Sequence, residues 1–268
     1  KGMTFEQAAA KYVETVSRDK ADGAKDWEER RFAEAAEFFG VNTLLVKIDS
    51  AKIGEWRDKR LETVSASTVI RHKTPIRHMF QLAVDEWKVL TANPFDGVRF
   101  PDHDPPRHQV WTWKLILRVL RALEDEKRNE REKECIRAFH IALHTGMRLK
   151  EILNAELVGN IAVLQRDKNS RKNSPPVKIP LARKGAELFA AYPAFKLKPD
   201  NASATFSDLT DELLIEGLTF HDSRASALTW LSRRYDVMTL ARISRHKNLK
   251  ILMDSYYRET AEQIAARL

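Results

Sequence analysis

Leu218-Thr219-Phe220-His221-Asp222-Ser223-Arg224-Ala225-Ser226-Ala227-Leu228-Thr229-Trp230-Leu231 reads as the opening of a helix whose first turn carries the chemistry. Thr219 is a helix-capping residue and Asp222 stands three positions on, the spacing of a reciprocal cap. A helix that starts there puts His221 and Arg224 on one face near its N-terminus, where free backbone N–H groups and the helix dipole favour an anion. Taken alone, His221 is better explained as a core histidine. The reading changes with what lies on either side. Upstream is Thr145-Gly146-Met147-Arg148-Leu149-Lys150-Glu151, in which Gly146 caps one helix and Arg148 stands at the start of the next with Glu151 on its face. Downstream come His246 and then Tyr256-Tyr257. A chance His-x-x-Arg is expected in a chain this rich in arginine. Its position after Thr-Gly-x-Arg and before a histidine and a late tyrosine pair is what carries information.

Helical spacing governs most of the chain. Phe32, Ala35, Ala36 and Phe39 share a face until Gly40 stops the run. Ser65 to Trp87 reads as a second long helix with Ile76, Phe80 and Val84 on one side, and Pro75 is expected to break or kink it. Asn93-Pro94 closes that block. From about Arg99 to Arg107 the chain is proline-rich and aperiodic, a linker between a helical domain, residues 1–104, and a second domain, residues 105–268. There, helices are expected at about 112–125, 131–144, from Arg148, and at about 183–192, 208–216, 220–234, 237–243 and 248–256. A last short one bears Ala261, Ile264, Ala265 and Leu268 on one face. Ile161 to Gln165 and Val177 to Leu181 read as two short strands around a polar, basic turn. The expected fold class is mainly α with a small antiparallel β-sheet.

With 46 Lys+Arg against 38 Asp+Glu, the 268-residue chain has a formal charge of +8, which favours a polyanionic partner. The single cysteine, Cys135, excludes an internal disulfide and a multi-cysteine zinc site, and beside Ile136, Phe139 and Leu143 it reads as a buried thiol. The histidines do not group with carboxylates at metal-ligand spacing, no glycine-rich phosphate loop is present, and Ser223 lacks the surroundings of a hydrolase nucleophile. No metal and no cofactor are therefore expected. No apolar run reaches membrane-spanning length and no signal peptide is read, so a reducing cytoplasm is the expected compartment.

These motifs resemble the tyrosine recombinases, in particular phage and genomic-island integrases. The matching stretches are HTGMRLKEIL, VKIPL, LTFHDSRASALTWL and LARISRHKNLKILMDSYYRETAEQIAARL, close in the second half and loose in the first. The resemblance implies a two-domain DNA clamp: residues 1–104 a helical core-type DNA-binding domain, residues 105–268 the catalytic domain. It implies Arg148 and Arg224 on a scissile phosphate, Glu151 orienting Arg148, His221 as acid/base and His246 bonding the phosphate. Many members carry Leu-Gly-His where this chain has Ser244-Arg245-His246, so Arg245 adds positive charge. It is grouped with Arg71, Lys73 and Arg77 of the N-terminal half as DNA-binding. The nucleophile would be Tyr256 or Tyr257, with the first of the pair preferred. A hairpin lysine would protonate the leaving 5′-oxygen: Lys172, eight residues before Pro180, is preferred, and Lys168 is the alternative.

The implied activity is site-specific recombination through a 3′-phosphotyrosyl link, integrating or excising a phage or mobile element. It would act on double-stranded attachment sites in the bacterial cytoplasm, on the nucleoid. A homotetramer in the synaptic complex and a monomer when free are implied, with the C-terminal tail docking on a neighbour in the tetramer and, without DNA, either packing on its own domain or disordered. A type IB topoisomerase using the same groups and a non-catalytic DNA-binding protein are the alternatives. The short segment after the tyrosines weighs against the first, and the presence of every catalytic residue type against the second.

Overall fold

The computed structural model describes residues 2–20, 22–104, 109–165, 175–192, 194–257 and 265. The chain divides into two compact units, Lys1–Arg107 and His108–Leu268.

The first unit is four helices, α1 (Phe5–Thr15), α2 (Asp22–Phe39), α3 (Ser50–Leu61) and α4 (Ala66–Asp85). Their ends are set locally. Thr4 and Gln7 cap α1 reciprocally, Asp49 accepts from the Lys52 N–H, and Ser65 accepts from the Thr68 N–H. Gly40, at φ +88°, turns the chain after α2. The apolar faces meet in an aromatic core of Phe5, Tyr12, Phe32, Phe39, Trp56, Phe80 and Phe95. Helix α4 runs through Pro75 without a break. An interior proline costs about 3 kcal/mol. Ile76, Met79 and Phe80 are each 0% exposed on the same helix, and each contributes roughly 1.5–3 kcal/mol by burial, so packing outweighs the proline. The aperiodic stretch after Val98 is partly fastened to this unit. Phe100 stacks on Phe95, Arg57 donates to the Arg99 carbonyl, and Asp104 exchanges hydrogen bonds with Ser67 at the start of α4.

The second unit is built around α6 (Glu130–Thr145), with α5 (Trp113–Arg121) before it and α7 (Leu149–Asn154) after it. A three-stranded antiparallel sheet follows: β1 (Ala155–Val158), β2 (Ile161–Leu164) and β3 (Val177–Pro180), in that spatial order. Among the described residues it is completed by α8 (Arg183–Ala191), α9 (Pro199–Glu212), α10 (Phe220–Leu231), α11 (Val237–Ser244) and α12 (Leu249–Tyr256). Helix α6 is packed by α7, α8, α9 and α10. Trp111, Phe139, Phe206 and Phe220 form one aromatic cluster that fixes α9 and α10 against it.

Two further expectations are corrected here. The sheet has three strands, not two. Ala155 to Val158 pairs with β2 across the tight turn at Gly159 and Asn160, with Ala155 opposite Leu164 and Val158 opposite Ile161. Four residues that directly follow a short helix carry too little alternation to read as a strand, and it is the pairing that makes them one. Helix α9 starts at Pro199 rather than near 208 and ends at Glu212. Proline is favoured in a first helical turn, and the apolar run from Leu213 to Ile215 lies beyond the end, with Leu214 at φ +52°. The terminal helix expected from Ala261 to Leu268 lies outside the described residues, apart from Ala265. Among the described residues no helix is long and apolar enough to cross a membrane.

Cys135 is fully buried and its thiol is pushed up to about 12 by burial. Two histidines are pushed the other way. His72 lies between Arg31 and Arg60, each 3.1 Å from one ring nitrogen, and burial with these two charges holds it at about 4. Burial, His144 and Lys184 hold His140 at about 4. In the unfolded chain both would titrate near the ordinary value of about 6.5. A base whose folded pKa is depressed binds its proton more readily when unfolded, so stability is full above about 6.5 and falls as pH drops toward 4. Urea titrations at pH 7 and pH 5 should show that loss, and His140→Gln should make the dependence shallower. Equal stability at both values would contradict it.

Candidate active site

Arg224 is the most deeply buried of the candidate site residues among the described residues. Its helix, α10, starts where expected: the Thr219 N–H and hydroxyl both donate to Asp222 Oδ2, at 2.7 and 2.8 Å. Trp111 braces that start, with its N–H on Ser226 Oγ at 2.8 Å and its indole N–H on the Thr219 carbonyl at 3.2 Å. One turn in, Arg224 is 4% exposed and donates to the carbonyls of Gly146 and Ser244. Gly146 caps α6 at φ +67°, and a Cβ there would sit 2.9 Å from Leu228 of α10. Glycine is thus required both for the turn and for the close approach of α10. Burial, and secondarily Arg148, push the Arg224 guanidinium down to about 10, while Glu151 and Tyr256 act in the opposite sense. It remains a cation at neutral pH.

Arg148 stands at the N-cap of α7 rather than inside it. Its backbone N–H donates to Glu151 Oε2 and its Nη1 to Glu151 Oε1, each at 2.9 Å. Glu151 is buried while Arg148 is exposed, so the carboxylate end of this pair is withdrawn from solvent and the guanidinium end is open to it. The same Oε1 accepts from Arg245 Nη1 at 2.7 Å. Arg245 ends α11 in the left-handed region, at φ +60°.

His221 is exposed, so it is not a core histidine. It lines a pocket of about 120 Å³ together with Arg148, Arg224, Met147 and Ser203. Ser203, on α9, carries no motif, and its helix was misplaced by the sequence reading, so nothing short of the fold brings it here. His246 Nδ1 is 2.8 Å from Ser244 Oγ, and its imidazole is held below its ordinary value by burial first and then by Arg224 and Arg148. It is not the cap of α12, a role taken by Asn248.

The two tyrosines part company. Tyr257 donates its hydroxyl to the Tyr235 carbonyl at 2.6 Å, and burial and then Asp236 raise its pKa. Tyr256, the last residue of α12, is half-buried. Burial raises its pKa and the nearby Arg224 charge pulls it back down. Lys168 and Lys172 belong to the β2–β3 connection and lie outside the described residues.

Arg71, Lys73 and Arg77 belong to the first unit, all on α4. Arg71 is exposed, its guanidinium 4.8 Å from the centre of the Trp27 ring. Lys73 lies over Phe100 at 4.3 Å, its pKa lowered by burial and then by Arg77, while Arg77 pairs with Asp96 at 2.9 Å.

Arg148, Arg224, Arg245, Glu151, His221, His246 and Tyr256 therefore occupy one region of the second unit. Three guanidiniums against one carboxylate give an excess of positive charge suited to a phosphodiester oxygen, and the Tyr256 phenol lies within the field of Arg224. Among the described residues no group of three or more His, Cys, Asp or Glu is placed to hold a metal ion.

No protein-family model matches the chain. It is 32% identical over 227 residues to a protein of Haemophilus influenzae described as an integrase/recombinase, which covers 81% of this chain and 74% of that protein. It is 26% identical over 289 residues to a shufflon-specific DNA recombinase of Escherichia coli, covering 99% of this chain and 72% of the relative. In fold it resembles the Tn1549 transposon integrase, solved with transposon right end DNA, at a TM-score of 0.74 and 17% identity over 99% of this chain and 98% of that one. A lambda integrase tetramer bound to a Holliday junction matches at a TM-score of 0.75 and 13% identity, over 97% of this chain and 80% of that one.

Removing the Arg224 side chain would leave two buried carbonyls without donors, at about 1–3 kcal/mol for each unsatisfied group. Arg224→Ala should therefore lower the unfolding free energy by about 2–4 kcal/mol in urea titrations, with Arg224→Lys intermediate. A change under about 0.5 kcal/mol would mean that water replaces the guanidinium at no cost.

Proposed function

The chain belongs to the integrase/recombinase family of tyrosine recombinases, and from that premise we propose how its residues cut and rejoin DNA at specific sites. The Tyr256 oxygen attacks the scissile phosphorus. The bond to the 5′-oxygen breaks and a 3′-phosphotyrosyl bond replaces it. A 5′-hydroxyl from the partner duplex then attacks the same phosphorus and releases the tyrosine. One phosphoester is exchanged for another at each step, so the bond energy is kept.

Ionising a phenol of pKa about 10 at neutral pH costs about 4 kcal/mol, and burial of Tyr256 adds to that. Arg224 offsets part of the cost, and His221 takes the proton during attack. Arg148 and Arg224 hold the non-bridging oxygens as the pentacoordinate state gains a negative charge, and His246 adds a hydrogen bond. Glu151 orients Arg148. A lysine of the β2–β3 connection, Lys172 or Lys168, protonates the leaving 5′-oxygen. The observation that carries this reading is the contrast between the tyrosines: the Tyr257 hydroxyl is taken by the Tyr235 carbonyl, whereas Tyr256 is coupled to the buried Arg224.

The substrate is double-stranded DNA carrying attachment sites of a phage or mobile element, and the assembled form is a homotetramer formed on two such sites. The names of the relatives, integrase and recombinase, support strand exchange over simple relaxation of DNA. The first unit supplies a DNA-binding surface through Arg71, Lys73 and Arg77. The reaction takes place in the bacterial cytoplasm.

Nicked duplexes tiling the DNA that borders the host element provide the test. Tyr256→Phe should bind DNA as wild type does and form no SDS-resistant adduct, whereas Tyr257→Phe should still form it. The reverse pattern would move the nucleophile by one residue. Arg148→Ala should slow adduct formation by at least ~100-fold, the scale of losing one transition-state donor. Neutralising Arg71, Lys73 or Arg77 should each lower the salt dependence of binding by about one counterion, and an unchanged slope in all three would take that face off the DNA.

A further inference from the structure

Arg245 occupies a place where its own backbone is uncomfortable. At φ +60° a side chain crowds the following carbonyl, and glycine is the residue free of that strain. The strain is matched by an ion pair. Arg245 Nη1 lies 2.7 Å from Glu151 Oε1, and the Glu151 side chain is only 11% exposed, so solvent screens this pair less than an ordinary surface pair. Glu151 stands on α7, and its same oxygen holds Arg148. One residue before Arg245, the Ser244 carbonyl accepts from Arg224. The turn between α11 and α12 is therefore fastened to the rest of the unit at two successive residues. That turn carries His246 and leads directly into the helix that ends at Tyr256.

We propose that Arg245 is a positioning residue: its ion pair with Glu151 locks the segment bearing His246 and Tyr256 onto the helix start bearing Arg148, so that nucleophile and phosphate-binding groups are aligned before DNA arrives. This rests on the reading of Tyr256 as the nucleophile. Glu151 becomes a shared anchor. It orients Arg148 on one side and the tyrosine segment on the other, and disturbing either pair disturbs both. The charges fit the task. Three guanidiniums and one carboxylate leave a net charge of two in the site, matching the doubly negative pentacoordinate phosphorus, while Arg245 itself faces the carboxylate.

Arg245→Gly is the informative variant, because glycine relaxes the turn while removing the lock, so the fold is retained. Without DNA, amide hydrogen exchange in residues 246–257 should rise by at least ~tenfold, since opening of that segment no longer has to break the pair. With saturating protein on a nicked duplex, the adduct rate should fall by at least ~tenfold while affinity stays within ~threefold. Arg245→Lys should recover much of the rate. The double variant Glu151→Gln with Arg245→Gly should be no slower than the worse single variant, because both act through one contact. Unchanged exchange in Arg245→Gly overturns the proposal. So do losses that multiply in the double variant together with a salt slope lowered by about one, which would put Arg245 on the DNA itself. The exchange measurement needs no DNA and no chemistry, so it judges the lock even if wild type forms its adduct through another residue.

Discussion

Arg224 carries a full charge into a region where 4% of the residue meets solvent, and it is held there by the carbonyls of Gly146 and Ser244. These carbonyls belong to the C-terminal ends of two helices, α6 and α11, which carry partial negative charge and lack partners within their own helices. A guanidinium from a third helix supplies what both ends lack. The rest of the site follows from this junction. The α6 end leads within two residues to Arg148, and the α11 end leads at once to Arg245 and His246 and then through α12 to Tyr256. Groups far apart in the chain are gathered because one planar cation, with donors on two sides, closes two helix ends together.

The junction sets narrow requirements on its neighbours. Gly146 must turn the chain in the left-handed region and also admit Leu228, whose side chain would lie 2.9 Å from a Cβ there. The cap of α10 at Thr219 and Asp222 has to be firm, since Arg224 is one turn from it, and Trp111 reinforces it from another part of the chain. The electrostatics is equally constrained. Burial pushes the Tyr256 phenol up and the Arg224 guanidinium down, each toward its neutral form, and the attraction between the two works against both shifts. Glu151 keeps the collection of arginines from repelling itself apart while leaving an excess of positive charge.

Local signals were legible where the physics is local. The caps at Thr219 and Gly146 and the helix stop at Gly40 depend on residues within a few positions, and the helices around them fall where the spacing puts them. Elements whose identity depends on a partner were not. β1 is a strand because β2 pairs with it, and α4 passes through Pro75 because its buried face outweighs the local penalty.

For the site, the chain by itself determined which chemical groups exist and in what order: two arginines and two histidines near helix ends, an acidic neighbour for the first arginine, and a late tyrosine pair. It did so because capping residues and helical spacing put side chains at helix starts, where anions bind. Only the tertiary structure decided which groups are neighbours. That Arg245 shares Glu151 with Arg148, that Ser203 lines the pocket by His221, and that Tyr257 is tied to Tyr235 while Tyr256 lies within the field of Arg224 all depend on contacts between elements distant in the chain. Two adjacent tyrosines have the same composition and nearly the same local context. What separates them is the direction each side chain takes from the end of α12, and packing against other helices sets that direction.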